Sequence, residues 1–82
     1  MAYEKIPVKV IAEFSKNGGI KPIIIEWEDG QKFIIDRVIL RENKPCRSGE
    51  ILVERFTIKI NGQERYLYYE KIKEFWFVER RI

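Results

Sequence analysis

From Pro7 to Phe14 apolar and polar positions alternate, with Val8, Val10, Ala12 and Phe14 on one face and Lys9, Ile11 and Glu13 on the other. That is the period of a half-buried strand. Ser15-Lys16-Asn17-Gly18-Gly19 follows, and its residues take positive φ without strain, so the chain is predicted to reverse there. A second strand is predicted from Ile20 to Glu28, with Pro22 tolerated near its start only at an edge or a bulge.

The stretch Ile23 to Leu40 sets the fold. Two apolar runs, Ile23-Ile24-Ile25 and Phe33-Ile34-Ile35, flank Asp29-Gly30, the short sequence most characteristic of a tight hairpin turn. With Asp29 and Gly30 as the central turn residues, Glu28 faces Gln31, Trp27 faces Lys32, Glu26 faces Phe33, Ile25 faces Ile34 and Ile24 faces Ile35. Both faces of this ribbon are apolar, and a short chain satisfies both by curling into a barrel.

In the second half, Arg41 to Glu50 is poor in apolar residues and broken by Pro45 and Gly49, which predicts a loop carrying Arg41, Lys44 and Arg47 against Glu42 and Glu50. The next strand, Ile51 to Ile60, buries Leu52, Phe56, Ile58 and Ile60 by alternation and leaves Val53, Arg55, Thr57 and Lys59 on its other side. Asn61-Gly62 repeats the turn chemistry and leads into a strand from Glu64 to Glu70, so that Lys59 faces Glu64 and Ile58 faces Arg65. With Tyr66, Tyr68 and Tyr69 in one strand, aromatic rings fall on both faces and at least one tyrosine edge is expected to be accessible. Phe75-Trp76-Phe77-Val78 reads as a final strand, because Phe77 and Val78 fall off the helical stripe that Tyr69, Ile72 and Trp76 approximate.

These elements predict one all-β domain over residues 1–82, a small SH3-like barrel of five or six antiparallel strands. An OB-like barrel, and a barrel ending in a C-terminal helix, are the alternatives. An OB-fold generally carries a helix between its third and fourth strands, and the only segment placed for one contains Pro45 and almost no apolar surface.

Composition narrows the chemistry more than the fold. The 82 residues contain no His and a single Cys46, so an intramolecular disulfide, a zinc site and a Cys-His nucleophile all lack their parts. No stretch approaches the run of about 18 apolar residues that spans a membrane, and the N-terminus lacks the apolar core of a signal peptide. With a lone thiol, the expectation is a cytoplasmic protein in a reducing compartment. The only two Asp are Asp29, in a turn, and Asp36, and no spacing singles out a carboxylate pair, so no enzyme, cofactor or metal is predicted. Asp36-Arg37 interrupts an apolar strand; the expected explanation is structural, with Asp36 accepting local hydrogen bonds and Arg37 pairing with a Glu. The net charge of +3 comes from the second half, where residues 41–82 hold ten basic and seven acidic groups against six of each before them.

Trp27-Glu28-Asp29-Gly30, then Ile35-Asp36-Arg37-Val38, and later Trp76-Phe77-Val78-Glu79 after a tyrosine-rich strand resemble a family of short uncharacterised proteins of Gram-positive bacteria, known mainly through structural genomics as small β-barrels. The resemblance implies a bacterial source, a barrel fold and a strand at the C-terminus. That family has no established activity, so it implies no functional residue.

Two binding functions fit the residues. The first is a weak nucleic-acid binder: Arg55, Lys59 and Arg65 on paired strands would track phosphates, with Tyr66 and Tyr68 as stacking platforms for single-stranded nucleic acid. The second is a protein-binding module in which Trp27, Tyr68 and Trp76 form an aromatic groove, or a strand edge accepts a partner's strand. The sequence leaves the oligomeric state open.

Overall fold

In the computed structural model, which describes residues 2–45 and 52–82, the chain forms seven antiparallel strands: β1 (Tyr3–Phe14), β2 (Ile20–Glu26), β3 (Lys32–Ile34), β4 (Arg37–Pro45), β5 (Leu52–Ile60), β6 (Gln63–Glu70) and β7 (Phe75–Arg81). Their order across the single sheet is β3-β2-β1-β7-β6-β5-β4. The all-β barrel class is therefore as expected, with seven strands rather than five or six. No described residue is helical, and the chain end that approximates a helical stripe is β7.

The two outermost strands, β3 and β4, are consecutive in sequence and separated only by Ile35 and Asp36. Those two residues join the ends of the sheet: Ile35 N donates to Ile23 O at 2.9 Å and Asp36 N to Lys59 O at 2.8 Å. The bond from Ile35 continues the β2–β3 ladder at Ile23, where β1 and β2 slip register on the other side. Ile11 pairs with Ile24 and Ala12 with Pro22, so Ile23 is the extra residue of a β-bulge. Pro22 thus sits at the bulge that its missing N–H requires. Curling encloses a core of Ile25, Ile35, Phe56, Ile58 and Leu67, with Val8, Val10, Val38, Tyr69, Trp76 and Val78 among the residues packed against it. A second cluster, Val53, Tyr68 and Phe77 with Phe75, occupies the opposite face of β5, β6 and β7.

The first hairpin departs from the expected register by one residue. Ile24 pairs with Ile34, Ile25 with Phe33 and Glu26 with Lys32. Its loop has three residues: Gly30 N donates to Trp27 O at 2.9 Å, Trp27 N to Gln31 O at 2.7 Å, and Gly30 takes φ 89°. Asp29 does not occupy a positive-φ position; its side chain accepts from Gln31 N at 2.9 Å and stabilises the turn from outside. A one-residue slip exchanges faces, which turns Phe33 and Ile35 inward and leaves Ile34 67% exposed. Asn61-Gly62, by contrast, forms the expected two-residue turn with both φ positive (50° and 77°), and Lys59 faces Glu64 and Ile58 faces Arg65.

β4 also corrects the sequence reading. It continues through Arg41–Lys44 to Pro45, paired with β5, so the first half of the expected loop is strand; Cys46, Arg47 and Glu50 lie outside the described residues. The polar residues there suit an edge strand, where charge discourages further strand pairing. Asp36 is exposed, and its backbone, rather than its side chain, makes the structural contact.

Candidate functional site

The sheet parts between β6 and β7. Among the described residues their ladder consists of Tyr68 with Phe77, Tyr69 with Trp76 and Glu70 with Phe75. Beyond Tyr68, residues 63–67 remain paired with β5 and residues 78–81 remain paired with β1, but not with each other. A cleft of about 770 Å³ opens here and runs to the barrel mouth, where the 27–31 loop and the 61–62 turn lie. That volume is within the range of ligand sites.

Among the described residues, five aromatic side chains from three strands and one loop line the cleft: Tyr3, Trp27, Phe33, Tyr66 and Tyr68. Its apolar floor is the barrel core itself, through Ile25, Ile58, Ile60 and Val78. Among the described residues the charged lining is Asp29, Glu64 and Glu79 against Arg65. In a chain of net charge +3 this is a locally acidic surface.

On the outer face a row of side chains crosses the sheet from Glu42 through Arg55 and Tyr68 to Phe77, each opposite the next in the strand register. Arg55 Nη2 donates to Glu42 Oε2 at 2.8 Å, and its guanidinium lies 4.3 Å from the centroid of the Tyr66 ring. The bond from Arg55 holds the Glu42 carboxyl below its ordinary range, and the same bond raises Arg55. Tyr68 is buried and stacked on Phe77 at 5.1 Å. Burial pushes its hydroxyl up to about 12, reinforced by its hydrogen bond to the Glu79 carboxylate and opposed by Arg55.

The sequence-predicted residues are thus distributed unevenly. Of the phosphate-tracking set, Arg55 is committed to Glu42 and Tyr66, and Arg65 is held by the Gln63 side chain and the Glu64 carbonyl. Lys59 is half-buried and paired in register with Arg37 and Glu64. Tyr66 is the accessible tyrosine at 44% exposure, whereas Tyr68 offers no stacking face, being 3% exposed with Phe77 against its ring. Of the aromatic-groove set, Trp27 and Tyr68 do line one cleft. Trp76 does not join them: it points into the barrel, 5.3 Å from Phe56 and 4.7 Å from Tyr69. Tyr3, Phe33, Glu64 and Glu79 complete the cleft and were not singled out from the sequence, because they approach one another only after the sheet curls.

Among the described residues no three carboxylate or thiol groups gather as a metal site, and no helix is long and apolar enough to cross a membrane. No family model, curated protein or solved structure matches the chain. The site is therefore read from its own geometry.

Proposed function

We propose that this protein is a small binding module without catalytic activity whose ligand is a segment of another polypeptide, held in the cleft between β6 and β7. The observation that carries this reading is the parting of two otherwise well-paired strands over a floor of core residues, with Trp27, Phe33 and Tyr66 around the opening. Open strand edges supply backbone donors and acceptors to an extended chain, and aromatic walls supply contact area with little side-chain entropy to lose. Nucleic-acid binding is the weaker reading. Two of its arginines are already paired, Tyr68 is covered, and three carboxylates line the cleft.

Selection of a displayed library of random dodecapeptides tests this. Peptides should enrich on the protein and lose binding on Trp27→Ala; enrichment of none that depends on Trp27 would refute the reading. A single-stranded oligonucleotide titrated at two salt concentrations provides the contrast, since phosphate-driven binding weakens steeply as salt rises. Such binding at the cleft would favour nucleic acid instead.

A further inference from the structure

Resting on the peptide-binding reading, we infer that the segment this cleft selects is a cationic, extended one, with Arg or Lys side chains entering among Trp27, Phe33 and Tyr66. Charge argues for it first. Among the described residues Asp29, Glu64 and Glu79 face the cleft against Arg65, although the whole chain is basic, so the cleft lining is acidic where the protein at large is not. Arg65 does not cancel it freely, because its guanidinium is turned onto Gln63 and the Glu64 carbonyl.

The aromatic walls argue in the same direction. Ring faces are negative and attract guanidinium or ammonium groups, more strongly where water is displaced. The protein already shows this preference beside the cleft, where Arg55 packs over the Tyr66 ring. An anionic segment would meet both the ring faces and the carboxylates unfavourably.

The open edges set the length and conformation of the ligand. Among the described residues, 63–67 of β6 pair with β5 on one side and with no strand on the other, and 78–81 of β7 pair with β1 on one side only. At about 3.3 Å per residue, an added strand spanning residues 63–67 would be about five residues long. Alternate side chains of that strand would lie on the outer face beside Glu64, Tyr66 and Glu79, while the others point toward the barrel interior. A segment alternating cationic and small polar residues fits both conditions.

Nuclear magnetic resonance titration with three capped octapeptides tests this: four Arg-Thr repeats, four Gln-Thr repeats and four Glu-Thr repeats. The Arg-Thr peptide should shift the Trp27 indole and the amides of residues 63–67 and 78–81, and the Gln-Thr peptide should bind more weakly. Glu64→Gln, on an exposed residue, should weaken the Arg-Thr peptide about two- to fivefold and leave the Gln-Thr peptide unchanged. Asp29→Asn, which keeps the side-chain acceptor for Gln31 N, should act in the same direction. Equal or tighter binding of the Gln-Thr or Glu-Thr peptide would overturn the charge inference while leaving a peptide cleft. Shifts confined to another surface, or no shift with the Arg-Thr peptide, would overturn it too. An oligonucleotide shifting the same cleft amides would overturn both this inference and the reading beneath it.

Discussion

Tyr68 gives the sharpest test of the packing on the outer face, because its burial predicts a stability change confined to a known pH window. The folded protein holds the phenolic proton to about pH 12, against an ordinary value of 10. Between these values the unfolded chain has released the proton and the folded chain has not. The unfolded state then binds fewer protons, so stability falls as pH rises from 10 to 12 and is unaffected by this group below 10. At about 1.4 kcal/mol per pH unit the loss reaches about 2 to 3 kcal/mol. The measurement is a difference between wild type and variant, so contributions common to both cancel. Tyr68→Phe keeps the ring on Phe77 but removes the hydroxyl, leaving Glu79 and Arg55 without that partner at a cost of about 1 kcal/mol at neutral pH. In urea unfolding at pH 8, 10, 11 and 12, the wild-type protein should lead at pH 8, lose its lead above pH 10 and fall behind by pH 12. Absorbance at 295 nm should show a phenolic transition near pH 12 that the variant lacks. A stability gap that stays constant from pH 8 to 12 would refute the reasoning.

Two further perturbations separate backbone from side-chain roles. Asp36→Ala should change stability by less than about 0.5 kcal/mol, because the side chain is exposed, whereas Asp36→Pro removes the N–H that reaches Lys59 O and should cost about 1 to 3 kcal/mol; equal effects in urea unfolding would contradict the closure at this residue. Ile35→Ser should cost more than about 2 kcal/mol while Ile34→Ser, on the exposed face, stays near neutral, and the reverse order would restore the two-residue turn register.

Local chemistry was legible wherever one segment determined the outcome. The Asn61-Gly62 turn and the pairing of Lys59 with Glu64 follow from two positive-φ residues between strands of matching pattern. Pro22 restricts its position to an edge or a bulge, and the structure places it at a bulge. Asp29-Gly30 departs from the expected turn because Asp-Gly serves two turn types. Here Gly30 supplies a single left-handed position and Asp29 caps the next amide, and both arrangements satisfy the same dipeptide. The strand at 41–45 was missed for a different reason: its polar residues read as a loop in isolation, and only pairing with β5 makes them an edge. The cleft was half legible. Of the expected aromatic groove, Trp27 and Tyr68 line the cleft, but Trp76 packs in the core, since periodicity in a strand flanked on both faces by apolar residues does not say which face is inside.

The parting of β6 and β7 differs from fraying at a chain end, and the difference bears on binding. Each wall is held from behind. Residues 63–67 are paired with β5, the most buried strand, whose Phe56 and Ile58 are fully enclosed, and residues 78–81 are paired with β1 from Tyr3 to Ile6. Below the opening, Tyr68 stacked on Phe77 and Trp76 packed on Tyr69 fasten the two strands together. On the far side Ile35 and Asp36 carry the chain directly from one end of the sheet to the other, each bonded to its neighbouring strand at Ile23 and Lys59. A cleft held in this way is formed in the unliganded protein, so under the proposed peptide-binding function the ordering entropy would fall on the ligand rather than on the protein. An opening that needed no support would have no reason to stand beside the best-packed strands of the barrel; this one stands there because the core supplies its floor.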